Sequence, residues 1–149
     1  MTMLAPWTVF AVVACLLLGV WVSDRVHSRR HRRRLARLAA GHRWRFNATD
    51  RFALAGRIGP ALPVPGAADV RVRDLMYRVD GDTHRYVFTA LCTAGTITGP
   101  DRVQMVVSAD ETAGGLSGVR VAGDGSLLAQ YAALIEGRGS PGPDVTASI

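Results

Sequence analysis

Lysine is absent from this 149-residue chain and cysteine occurs only twice, at Cys15 and Cys92. Two cysteines exclude a disulfide framework and a cysteine-rich zinc module, so stability has to come from packing. All 18 basic residues are arginine. That bias reads as codon composition of a GC-rich genome rather than as a mechanism, because a solvated face accepts either basic residue. Charge of either sign is missing from residues 1–23, which excludes an ordinary solvated segment there.

What is present is distributed unevenly. Residues 24–45 hold nine arginines against one aspartate, whereas residues 46–149 hold nine arginines against eleven acids. The sequence pI near 10.6 therefore belongs to one short segment, and the remainder of the chain is mildly acidic.

Between Met3 and Val22 only Pro6, Thr8 and Gly19 fall outside the hydrophobic set. Twenty helical residues reach about 30 Å, the thickness of a bilayer's hydrocarbon core. Trp7 and Trp21 stand fourteen residues apart, about 21 Å along a helix, as indoles resting at the two interfaces would. Pro6 falls in the first turn, where a missing N–H costs little. A cleaved signal peptide would carry its basic residues before the apolar run; here they follow it, as in a stop-transfer flank. Val12-Val13-Ala14-Cys15 loosely matches a lipoprotein box, but the apolar run continues through Val22 and no positive charge precedes it. The reading is one transmembrane helix over 1–23.

Cytoplasmic flanks retain arginine, so the nine arginines after the span place the N-terminus outside and the C-terminal domain in the cytoplasm of a cell whose inner membrane it crosses. Asn47-Ala48-Thr49 matches a glycosylation sequon, but on that topology it lies on the wrong side. Residues 24–40 read as an Arg-rich juxtamembrane helix continuing the span, with Leu35, Leu38 and Ala39 as a narrow apolar stripe and Gly41 as the residue closing it. Arg25, Arg29, Arg30, Arg32, Arg33, Arg34 and Arg37 then either face anionic headgroups, at about 1 kcal/mol each, or serve only to set topology. A nucleic-acid partner is not expected, because the basic run abuts the bilayer and the domain beyond it is acidic.

Residues 41–137 read as a small α+β domain. Trp44 and Phe46 alternate with Arg43 and Arg45 as a short strand, and Asn47, Thr49 or Asp50 caps one or two helical turns over 51–55. Residues 56–68, with three Pro and three Gly, read as an extended connection. Val70 and Val72 alternate in one phase and Leu75, Tyr77 and Val79 in the other, so a β-bulge is predicted near Asp74. Asp80-Gly81-Asp82 turns the chain into a return strand over 84–93, with Tyr86, Phe88, Ala90 and Cys92 on one face. A loop over 95–100, a third strand over 103–109, a polar turn region over 110–118 and a short strand over 119–121 follow. Ser126 caps an amphipathic helix over 127–136 that covers one face of the sheet, and 138–149 reads as a disordered tail. The fold class is α+β: a transmembrane helix, a basic helix, an antiparallel β-meander and a C-terminal amphipathic helix.

Chemistry is sparse. Gly137-Arg-Gly-Ser-Pro-Gly142 spells a dinucleotide fingerprint, yet it follows a helix instead of a strand and contains Pro141. His27, His31 and His42 lie among arginines that repel a cation, and His84 stands alone, so neither a metal nor a cofactor is expected. Asp80 and Asp82 belong to a turn, without the closing glutamate of a calcium loop. Two candidates remain to test. Asp74 is a carboxylate at a bulge, partly buried beside Arg73 or Arg102, and Cys92 is the domain's single thiol, on a packed face. Neither has a nameable base partner, so the chain reads as non-enzymatic. Its domain is expected to bind another protein or a second copy of itself. The alternative is an anionic-lipid or small-molecule binding module at the membrane surface.

An apolar span, an Arg-rich helix ending Leu38-Ala-Ala-Gly-His-Arg-Trp44, a Pro/Gly segment, then Pro65 to Tyr77 and Arg85-Tyr-Val-Phe-Thr89 succeed one another over residues 3–109. In that order they resemble small bacterial single-span membrane proteins of unknown function with a compact β-rich domain. The resemblance implies a bacterial inner membrane and supplies no active site.

Overall fold

In the computed structural model, which describes residues 6–96 and 99–141, the chain is α+β. Helix α1 (Pro6–Gly41) is followed by β1 (Arg45–Thr49), α2 (Leu54–Ile58), a 3₁₀ turn (Gly59–Ala61), β2 (Ala68–Asp80), β3 (Thr83–Thr96), β4 (Gly99–Thr112), β5 (Gly115–Val121), α3 (Leu127–Ile135) and β6 (Ser140–Pro141). The strands form one antiparallel sheet in the order β1-β2-β3-β4-β5-β6. Two compact units divide the chain, residues 1–34 and residues 35–149.

The first unit is helix throughout its described length. Trp7, Phe10, Leu16, Leu17, Val20 and Trp21 are all exposed, and this helix is long and apolar enough to cross a membrane.

The second unit begins with the end of α1. A Schellman closure ends the helix: the Trp44 amide donates to the Ala39 carbonyl at 2.8 Å and the Arg43 amide to that of Ala40 at 3.2 Å. The left-handed residue is Arg43, φ 62°, and not the expected Gly41, which is still helical. Gly41 is the preferred residue by type, but the closure forms two residues later, where Trp44 packs back on the core.

Two apolar layers sandwich the sheet. On one face Val72, Leu75, Tyr86, Phe88, Ala90, Cys92, Val107 and Ala109 pack against Leu54, Ile58, Ala61 and Leu62. On the other, Met76, Val87 and Val106 pack against Leu35 and Ala39 of α1 and Tyr131 and Leu134 of α3. Each strand residue i and i+2 thus serves one layer, as the pleat requires.

One extra residue in β2 keeps that alternation in phase. Between Arg73 and Met76 β2 advances three residues while β3 advances two, from Thr89 to Val87, and Asp74 absorbs the difference at φ 52°. Val72 and Leu75 therefore share a face. A second such step falls between Ala68 and Arg71, with Asp69 at φ 49°. A third lies in β5, where Gly118 at φ 59° sits between Ser117 and Arg120.

Several connections are shorter than the sequence implied. The Asp50 carboxylate accepts from the amides of Phe52 (3.2 Å), Leu54 (3.0 Å) and Ala55 (2.9 Å) and so starts α2, while Asn47 Oδ1 instead takes the Thr49 amide. Residues 54–61 are helical, not extended, because Leu54, Ile58 and Ala61 all find core to bury against. The region 110–118 is mostly strand, β4 and β5 meeting in a tight turn, and β3 and β4 run well into the segment expected as a loop. Ser126 caps α3 by accepting from the Ala129 amide at 3.4 Å. Past Gly137, Ser140 and Pro141 pair with Val121 and Arg120, so the start of the expected tail is ordered against the sheet; residues 142–149 lie outside the described residues.

Candidate functional site

The arginines of the basic segment, Arg25, Arg29, Arg30, Arg32, Arg33, Arg34 and Arg37, are all exposed on α1. The Arg25 guanidinium lies 4.4 Å above the Trp21 ring, a cation–π contact where apolar helix gives way to basic helix. Trp7, the other expected anchor, is 81% exposed.

Asp74 is half-buried at the β2 bulge. Its backbone carbonyl accepts from the Tyr131 hydroxyl at 2.7 Å, and that hydroxyl stands 2.8 Å from Thr89 Oγ1. Burial pushes the Tyr131 phenol well above its ordinary range, and the Asp74 charge adds to this while Thr89 opposes it. The phenol is a neutral structural donor. Among the described residues neither Arg73 nor Arg102 pairs with a carboxylate, and both are exposed.

Cys92 is buried on the Tyr86 and Phe88 face. Burial raises its pKa, which keeps it a thiol rather than the nucleophilic thiolate.

The most organised polar cluster was not visible in the sequence. Antiparallel pairing sets His84 opposite Glu111. The Tyr86 hydroxyl donates to Glu111 Oε2 at 2.7 Å and lies 3.3 Å from His84 Nδ1, while Arg57 of α2 donates from Nη2 to Glu111 Oε1. Phe52 packs on Tyr77 and Tyr86 with ring centroids 5.0 and 5.3 Å away. The Arg57 and Tyr86 hydrogen bonds, in that order, hold the Glu111 carboxyl below the usual range. Arg57 is correspondingly raised by its hydrogen bond to Glu111, and Tyr86 is raised by burial first and by Glu111 second. Both carboxylate oxygens are engaged, so Glu111 works as a clamp tying α2 to β3 and β4. The available signal was Tyr86 itself, whose hydroxyl on an apolar face demands a partner.

Among the described residues no three His, Cys, Asp or Glu side chains converge as a metal site would need. Compared with family models, with curated proteins and with solved structures, the chain matches none.

Proposed function

We propose that this chain is a single-pass protein of a bacterial inner membrane, N-terminus outside, whose cytoplasmic α+β domain binds another protein or a second copy of itself without catalysing a reaction. The observation that carries the reading is the charge map of one helix. α1 exposes an uncharged apolar stretch from Trp7 to Val22 and then seven arginines from Arg25 to Arg37. Charged groups are costly in hydrocarbon and arginine is retained on the cytoplasmic side, which supports both the span and its direction.

Binding through the sheet is supported by its edges. Among the described residues β1 has β2 as its partner on one side alone, and β6 pairs only with Arg120 and Val121, leaving residues 115–119 of β5 outside that ladder. Such edges offer backbone donors and acceptors to an added strand. Glu111 is already satisfied on both oxygens, which favours a structural role over acid–base work. Photo-crosslinking in intact cells from Ser117 in β5 and Ala48 in β1 tests this. A defined partner or dimer is expected; crosslinks no more frequent than from exposed Arg78 would contradict it.

The second reading rests on the exposure of all seven arginines: the segment binds anionic headgroups at about 1 kcal/mol per arginine. Neutralising them would then abolish binding to anionic vesicles.

A further inference from the structure

A second concentration of arginine lies in the folded domain, far along the chain from the helix. Arg71 and Arg73 of β2 stand opposite Leu91 and Thr89, and Arg102 of β4 stands opposite Thr93. Because Thr89, Leu91 and Thr93 alternate along β3, the three arginines share one face of the sheet. It is the face that α3 covers as far as Thr89, where Tyr131 is seated. Beyond it Leu91 and Thr93 are half-buried and the three arginines exposed, and together they border a cavity of about 210 Å³ with Asp69 at its edge.

The charge balance of this cavity runs against its surroundings. Residues 46–149 hold more acids than arginines, yet three guanidiniums gather here against one carboxylate. Asp69, exposed at its own bulge, takes Arg71 at 2.9 Å. Arg73 and Arg102 pair with no carboxylate among the described residues. Arg71 and Arg73 lie two residues apart on β2 and Arg102 lies on β4, across β3; like charges gathered around one cavity repel each other, so an arrangement that leaves them un-neutralised is one that an anion would complete. Guanidinium forks suit the oxygens of phosphate. The excess of two positive charges matches a phosphate monoester near its dianionic form. The cavity has room for such a group, being several times the roughly 30 Å³ share of a water molecule. The Thr93 hydroxyl adds a donor, and Leu91 an apolar floor.

We propose that Arg71, Arg73 and Arg102 form a binding site for a phosphate monoester, presented either by a small soluble ester or by a lipid of the phosphatidic acid type. The site belongs to the folded domain alone and does not depend on the protein-binding reading above. Asp69 acts in it as a competitor that holds Arg71 until the ligand arrives.

The test uses the full chain in neutral detergent micelles and follows by NMR the Arg71 Nε–Hε signal and the backbone amides of Leu91 and Thr93, cavity residues that every variant below retains. Glycerol 3-phosphate in the buffer and phosphatidic acid in the micelle are the two probes, with sodium chloride at matched ionic strength as the baseline. A saturable shift beyond that baseline is expected with at least one probe, and the probe that gives it identifies the source of the phosphate. The double variant Arg73→Gln, Arg102→Gln should bind about tenfold or more weakly, since it removes two charge-assisted hydrogen bonds to the phosphate, with an unchanged Tm because both side chains are exposed. Asp69→Asn should bind more tightly. Shifts no larger than those from sodium chloride with both probes, or shifts undiminished in the double variant, would overturn the proposal.

Discussion

The hydroxyl of Tyr131 lies 2.7 Å from the carbonyl oxygen of Asp74, so the C-terminal helix is keyed to a residue at which β2 slips against β3. The bulge frees a carbonyl from the ladder, and the same hydroxyl that meets it also meets Thr89 on β3. Helix position and strand register are thereby locked to each other.

Removing that hydroxyl tests the lock. Tyr131→Phe keeps the ring that fills the layer with Leu35, Met76, Val87 and Val106 and strands one acceptor, the Asp74 carbonyl, and one donor, the Thr89 hydroxyl. A loss of about 1–3 kcal/mol in unfolding free energy is expected, measured by urea titration. Added to Tyr131→Phe, Thr89→Val should cost much less than it does in the native chain, as coupled partners do; equal costs would mean that the two hydroxyls do not interact.

Two positions with positive φ should respond in opposite directions. Arg43→Gly places the preferred residue at the left-handed position closing α1 and should stabilise by about 1 kcal/mol. Gly118→Ala should destabilise by a similar or larger amount, because φ is 59° and the added Cβ would lie 3.2 Å from Asp110 Oδ2. Paired thermal melts read both signs.

The Glu111 clamp gives a pH signature. A carboxylate whose folded pKa is depressed below its ordinary value near 4.5 contributes stability above that value and loses it as pH falls through the lower folded one. The stability difference between the native chain and Glu111→Gln should therefore be full at neutral pH and shrink below about pH 4.5. A difference that stays constant into acid would show that the charge of Glu111 is not what the clamp uses.

Burial and a raised pKa make Cys92 slow to alkylate. In a Cys15→Ala background, iodoacetamide at neutral pH should label the folded chain far more slowly than the urea-unfolded chain. Equal rates would place the thiol outside the Tyr86 and Phe88 layer.

Where side-chain period decides the outcome, the sequence was legible. The phase change between Val72 and Leu75 located the bulge at Asp74, and Ser126 located the start of α3, because each is a local rule acting on neighbouring residues. The second and third bulges were not found: Asp69 has no completed strand before it to show a phase break, and in β5 only Gly118 marked the slip. The Pro/Gly content of residues 56–68 pointed to extended chain, but Leu54, Ile58 and Ala61 fold helically because a distant sheet gives them a surface, which local composition does not record. The same applies to the polar sites. Arg57 and Glu111 are 54 residues apart, and Arg73 and Arg102 come onto one face only through the register of two strand pairs.

A reporter fused after Ile149, read for cytoplasmic against periplasmic location in bacterial cells, tests the direction of the proposed span most directly. Cytoplasmic signal is expected from the arginines between Arg25 and Arg37, and it should weaken or invert when those seven are changed to glutamine. Periplasmic signal from the native chain would contradict the account and leave the arginine segment without its role as a topology anchor.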